Sequence, residues 1–308
     1  MLYEQLKRDP DPIGRLEAAS ALTKNSSTED VNILGERLKK EKEWGVAIRI
    51  AKALGKIGGD EARNFLIKGL KSSNPKIRKG IISALGNFCH DEKAILSIRQ
   101  CAKNDSSYRV EAIALHMLGK VKDRDSFAFL ESSISRKSHN AMAQTAIYNA
   151  LAELEDEKSW DYLIRGAEYG AHRNSRQAAM RALAKLAHRY PYRKVEVVEH
   201  LTRFAHEKRG TPAATFRGKL GAIMAMKQLD DLSVVPALRQ IVDNETDGRL
   251  QRRAEDTISY LRESAKKPKE MKEIRSELDS VITENKLLRE RMNIIEKKHT
   301  AKTRKKKG

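Results

Sequence analysis

The sequence predicts an all-α protein, a solenoid of helical repeats that ends in a coiled-coil helix. Three observations carry this reading. A four-position apolar pattern recurs eight times at steps close to 32 residues. Aromatic residues are only 5% of the chain and apolar residues 40%, which suits a thin core spread along stacked helices. No stretch of Val, Ile or Thr alternates with period two, so no strand is expected.

The repeat is built around one large apolar anchor per unit: Leu22, Leu54, Leu85, Leu118, Leu151, Leu183, Met226 and Ile258. Apolar or small residues stand four and one positions before each anchor, and usually three after it, as in Ile50, Ala53 and Ile57 around Leu54. These offsets place four side chains on one face of an α-helix. The alanines let a neighbouring helix approach closely. In the first unit the last position is Asn25, a departure from the pattern. Short breaks follow, such as Gly58-Gly59-Asp60, His90-Asp91, Asp123-Arg124-Asp125 and Asp156. A second amphipathic stretch comes next, with Leu34, Leu66, Leu130, Leu163 and Leu238 each twelve residues past its anchor. The expectation is helix, turn, helix, eight times, the eighth unit keeping only its first helix.

Tetratricopeptide and ankyrin signatures are absent. The segment RIAKALGKIGGDEARNFLIKGLKSSNPKIRKGIISALGNF (49–88) resembles the short HEAT-like repeats of phycobilisome lyases and many scaffolds, and this resemblance covers 9–262. It implies an all-α HEAT-like helical-repeat solenoid, an α-α superhelix. The opening segment, MLYEQLKRDPDPIGRLEAASALTKN, also resembles the start of the C-terminal HEAT region attached to archaeal and bacterial zinc aminopeptidases of the aminopeptidase N family. The H-E-x-x-H and G-x-M-E-N motifs of that family do not occur here. This resemblance therefore implies an accessory region without the catalytic domain.

The formal charge is +19, which calls for an acidic or polyanionic partner or serves solubility. One spacing between anchors, from Leu183 to Met226, is 43 residues, and Pro191, Pro212, Gly210 and Gly218 mark longer loops or a prolonged helix there. Residues 172–219 overlap this irregular unit and hold 12 basic residues against 3 acidic ones. From this cluster Arg173, Arg176, Arg181, Arg189, Arg193, Lys194, Arg203, Lys208 and Arg209 are the candidate polyanion-binding residues, with Tyr190 and Tyr192 among them. Basic side chains beside aromatic rings can grip phosphates and stack on bases. The competing reading is a solvated helix face.

Residues 1–262 are read as the solenoid, 263–269 as a linker, 270–299 as a coiled-coil helix and 300–308 as a basic disordered tail. Ile274, Leu278, Val281, Asn285, Leu288, Met292 and Ile295 follow spacings of three and four and form a candidate dimer seam, Asn285 standing at an inward position. The competing reading is a terminal helix folded back on the last repeat.

No catalytic, metal or cofactor site is expected, and the chain is read as non-enzymatic. No two of the eight histidines have the i, i+4 spacing of a helical zinc site. The one His-Glu dyad, His206-Glu207, falls short of the several found in iron-binding HEAT hydroxylases. Trp44 and Trp160 are about four units apart and are each expected to pack between helices rather than line one pocket, as a HEAT-like DNA glycosylase would need. Cys89 and Cys101 are expected to be reduced packing residues. No run is long and apolar enough to span a membrane, and the N-terminus has no apolar signal core, so a cytoplasmic location is expected. The expected partner is a protein, with nucleic acid as the alternative.

Overall fold

The structure, a computed structural model, describes residues 2–23, 27–123 and 125–266, and beyond them Met271, Ile274, residues 277–279, 281, 282 and Asn285. The first eight helices are α1 (Leu2–Arg8), α2 (Pro12–Ala21), α3 (Thr28–Lys40), α4 (Trp44–Ile57), α5 (Gly59–Gly69), α6 (Pro75–Leu85), α7 (Glu92–Asn104) and α8 (Tyr108–Lys120). They are followed by α9 (Ser126–Ser133), α10 (Met142–Leu154), α11 (Ser159–Ala167), α12 (Arg173–Arg189), α13 (Lys194–Ala205), α14 (Pro212–Leu229), α15 (Val235–Asn244) and α16 (Gly248–Lys266). No strand occurs among the described residues. The chain divides into two compact units, residues 1–257 and 258–308.

Helix boundaries follow local chemistry. Asp11, Asn74 and Thr211 each accept a hydrogen bond from the first turn of the helix they precede, and Pro12, Pro75 and Pro212 stand at the first helical position. A proline there fits, since it removes an amide that has no partner inside the helix. Ser27 and Asp30 form a reciprocal capping box at the start of α3. Gly58, with φ of 78°, ends α4 and lets α5 begin at the next residue.

Every anchor is buried, on or at the end of an even-numbered helix, and Leu34, Leu66, Leu130, Leu163 and Leu238 are buried on odd-numbered ones. Two layers result. In the anchor layer, α2, α4, α6, α8, α10, α12 and α14 each pack on the next. Small residues permit this: a Cβ on Gly55 would stand 2.8 Å from Ala84 on the following anchor helix. The array opens with α1, one helix ahead of the first anchor, with Leu6 buried. Most of the closer pairings join an odd helix to the even helix after it, as α7 with α8 and α11 with α12, whereas α5 packs on α4 and α6 alike. Each unit therefore ends on its anchor helix, whereas the periodicity of the sequence suggested that it begins there.

The 43-residue step has a simple origin. Both α12 and α14 are long, at 17 and 18 residues, and the segments around Pro191 and Gly210 join them through α13. Gly218 lies inside α14.

A polar staple recurs seven residues before several anchors. Arg15 donates to the backbone carbonyls of Asp9 and Pro10 at 2.8 and 3.0 Å and pairs with Glu41 at 2.9 Å. Arg78 donates to the carbonyls of Ser72 and Ser73 at 2.9 and 3.1 Å and pairs with Asp105 at 2.7 Å. Arg176 donates to the carbonyl of Ala167 at 2.7 Å and pairs with Glu207, and Lys219 pairs with Glu245. Each Arg side chain thus satisfies carbonyls left open at the end of one odd helix while reaching an acid near the end of the next. Burial alone would raise the carboxyls of Glu41 and Asp105. The hydrogen bonds from Arg15 and Arg78, helped by backbone amides, hold both below the usual carboxylate range.

Two boundaries read from the sequence meet the structure at the C-terminal end. Residues 263–266, expected in the linker, are helical within α16. Leu288, Met292 and Ile295 of the seam, and the tail 300–308, lie outside the described residues.

Candidate anion-binding face

The two layers differ sharply in charge. Six central helices of the anchor layer, α4, α6, α8, α10, α12 and α14, carry sixteen Lys and Arg against two acids, Glu111 and Glu153, while α2 adds Arg15 and Glu17 and α16 has five against three. The seven odd helices α3 to α15 carry twelve against eleven. Of the two acids on the six central helices, Glu111 is engaged by Arg136 at 3.1 Å and Glu153 by Lys185 at 2.6 Å. Lys52, Lys56, Lys79, Arg109, Lys120, Arg173, Arg181, Arg189 and Arg217 remain exposed on this layer.

The periodicity of the repeat creates the surface. Two residues before successive anchors stand Lys52, Ser83, His116, Asn149 and Arg181; two after them stand Lys56, Asn87, Lys120, Glu153 and Lys185. Because each helix turns its anchor inward, these columns share the opposite, solvent side. A groove of about 770 Å³ crosses α6, α8, α10 and α12 here, and none of the residues that line it is acidic. Lys79, Arg109 and Arg181 bring full positive charge to it, and Tyr108, Asn149 and Gln177 bring neutral hydrogen-bonding groups. The buried hydroxyl of Thr145 also lies in its wall without a hydrogen-bond partner. Burial pushes the His116 imidazole below its ordinary value; nearby Glu153 opposes this, while Lys185 and Lys120 add to it. Low dielectric walls and unopposed cations focus a positive field along such a groove.

The nine residues expected to bind polyanions are not one site. Arg173, Arg181 and Arg189 are exposed on α12 and belong to the anchor layer. Arg176 is buried in its staple with Glu207, so it is not open to a ligand. Arg193 pairs with Glu157 at 3.1 Å and lies over the Trp160 ring at 4.8 Å. Lys194 pairs with Asp231 at 2.5 Å, Arg203 with Glu168, and Arg209 with Glu207 at 2.7 Å. Lys208 is exposed, with no ion pair among the described residues. Tyr190 donates to the Glu155 carbonyl at 2.8 Å, and Tyr192 to the Glu157 carboxylate at 2.5 Å.

Trp160 packs inside as expected, but Trp44 does not: it is 44% exposed, with the Lys76 ammonium 4.3 Å from its ring centre. Sequence reasoning also passed over Lys52, Lys79 and Arg109. The signal was present for Lys52, two residues before its anchor, and for Arg109, which aligns with Lys76 and Arg217 nine residues before theirs; Lys79 aligns with Ile48 and Ala112 and stood out in no column. Neither cysteine is in a disulfide, and burial, with Asp105 nearby, pushes the Cys101 thiol up to about 11. Among the described residues, no cluster of three or more His, Cys, Asp or Glu could hold a metal, and no helix is long and apolar enough to cross a membrane.

The family profile for HEAT repeats matches residues 1–86, 31–108, 63–149 and 95–184, which together exceed half of the chain. The protein belongs to the HEAT-repeat family. Among solved structures it is similar to Kap121p (TM-score 0.51, 14% identity, 85% of this chain and 33% of that one). It is also similar to Kap121p bound to Nup53p (TM-score 0.50, 14% identity, 92% of this chain and 34% of that one). Human deoxyhypusine hydroxylase in complex with glycerol matches at 14% identity and a TM-score of 0.39, over 82% of this chain and 100% of that one. The chain thus spans about a third of the length of Kap121p. At this identity the likeness shows the fold, a helical-repeat solenoid, and no more. Comparison with curated proteins gives no sequence match.

Proposed function

We propose that this chain is a non-catalytic repeat scaffold that holds an anionic partner along its anchor-helix face. The observation that carries this reading is the contrast between the layers: the anchor layer has a large excess of cations and the other layer is almost balanced. A charge excess needed only for solubility would have no reason to favour one layer. Kap121p, of the same fold, is solved bound to Nup53p, an instance of such an array holding a protein partner. An accessory region of a zinc aminopeptidase, the resemblance carried by residues 1–25, would use the same face in the same way.

The reading is tested by reversing three exposed cations in each layer. Lys79, Arg109 and Arg181 changed together to Glu should shift elution from a heparin column to much lower salt. Lys40, Lys68 and Lys93 changed together to Glu alter net charge equally and should have a far smaller effect. Equal shifts would mean that net charge alone governs binding.

A second copy of the chain is proposed as a partner for the C-terminal helix. Ile274, Leu278 and Val281 are all at least half exposed, and the Asn285 amide donates to the Val281 carbonyl at 3.2 Å. These residues stand at heptad spacing, and pairing two such helices would cover them. The full chain should sediment as a dimer at micromolar concentration and residues 1–265 as a monomer; a monomeric full chain would favour the fold-back helix.

A further inference from the structure

Resting on the anion-holding role of the anchor face, we propose that its occupant is single-stranded nucleic acid. Phosphates would lie against Lys79, Arg109 and Arg181, and bases would stack on Tyr108 and Trp44. The first observation is extent. Cations recur on α4, α6, α8, α12 and α14, and helices packed in one layer are about 10 Å apart, so the ligand that uses them all is a long polyanion rather than a small anion. The second is the pair of exposed rings. Tyr108 and Trp44 are 50% and 44% exposed, and each opens its helix ten residues before an anchor, on the same edge of the layer. Each stands beside cations: Lys76 lies over Trp44, and Lys79 and Arg109 line the groove with Tyr108.

The third observation is the neutral floor of the groove. Between the cations stand Asn149 and Gln177, whose amides carry both donor and acceptor, the Gln177 Nε2 donating one hydrogen bond to the Arg217 carbonyl at 2.8 Å. A base edge presents both kinds of group, whereas a carboxylate side chain presents acceptors alone. An acidic peptide would use the cations, and its backbone N–H groups would meet the acceptors, but its carboxylate side chains would leave the exposed rings without a flat partner to stack on. A duplex keeps its bases inside the stack, out of reach of the rings, so the single strand is the better fit.

The test measures binding of the full chain by fluorescence anisotropy. The probes are a labelled oligothymidylate of about twenty nucleotides and a poly-glutamate peptide of matched charge, at equal salt. The oligonucleotide should bind at least about tenfold tighter. Tyr108→Ala should weaken it about tenfold, the effect of losing one stacked base, while Tyr108→Phe should retain it, and neither change should move poly-glutamate binding. The exposure of Tyr108 makes these variants safe to fold, and a thermal melt verifies it. If poly-glutamate binds as tightly and Tyr108→Ala has no effect, while joint reversal of Lys79, Arg109 and Arg181 abolishes both, an acidic protein is the occupant and the nucleic-acid proposal falls. If that reversal changes neither probe, the anion-binding face itself falls.

Discussion

The six central helices of the anchor layer and the second layer come from one repeat and contain similar numbers of Lys and Arg, sixteen against twelve, yet they use them differently. Half of the twelve cations of the second layer, Arg37, Lys39, Arg63, Arg99, Lys194 and Arg203, are held in ion pairs among the described residues. Arg63 pairs with Asp60 and Asp91 at 2.9 and 2.6 Å, Arg99 with Asp123 at 2.5 Å, and Lys194 with Asp231 at 2.5 Å. On the anchor layer the matched cations are chiefly the staples, while Lys52, Lys79, Arg109 and Arg181 face solvent with no ion pair among the described residues. A charge that joins units is thus distinguished from a charge that awaits a partner by its column in the repeat, not by its place along the chain.

The comparison breaks most visibly in the core and at the staples. Leu85→Ala and Leu151→Ala remove fully packed anchors and should each cost about 2–5 kcal/mol in chemical denaturation. Arg78→Ala should cost about 3 kcal/mol, because it strands the Asp105 carboxylate, which is only 6% exposed. Arg109→Ala, on the same layer but facing solvent, should cost less than about 0.5 kcal/mol. Similar losses at Arg78 and Arg109 would erase the distinction between joining and waiting charges.

A smaller effect is expected from pH. Burial works to raise the Asp231 carboxyl, but hydrogen bonds from Lys194 and Ser233 outweigh it and hold the group at about 2. A depressed carboxyl stabilises the fold above its unfolded value, near 3.8, and loses that contribution as pH falls toward 2. Both side chains are about a third exposed, which screens the pair, so the contribution is about 1 kcal/mol. Asp231→Asn should therefore destabilise at neutral pH and show a shallower loss between about pH 4 and pH 2 than the unaltered chain. Parallel curves would mean that Lys194 is not held by Asp231 and could serve a ligand.

Much of the fold was legible because burial imposes a period. The eight anchors and the secondary leucines fall where the spacing placed them, since a helix in a stacked array can bury only one stripe. The phase of the unit was not legible, because α1 contains no anchor and a period has no intrinsic starting point. The site was legible only in part. Arg173, Arg181 and Arg189, exposed on α12, were singled out because they sit in a dense basic run. Lys79 and Arg109 were passed over because their neighbours in space are 30 residues or more away in sequence. Arg176 was misread for the same reason: its acid, Glu207, comes from the next unit. Trp44 was expected inside because aromatic residues usually pack, but as the first residue of α4 it lies at the rim of the layer.

The most direct measurement is the salt dependence of oligothymidylate binding to the full chain and to the two triple-reversal variants. For single strands, log affinity falls with log salt by about 0.7 per phosphate neutralised. Reversal of Lys79, Arg109 and Arg181 should flatten the slope by about 2 and weaken binding strongly, while reversal of Lys40, Lys68 and Lys93 should leave the slope nearly unchanged. Equal flattening by the two variants would contradict a dedicated anchor-helix face.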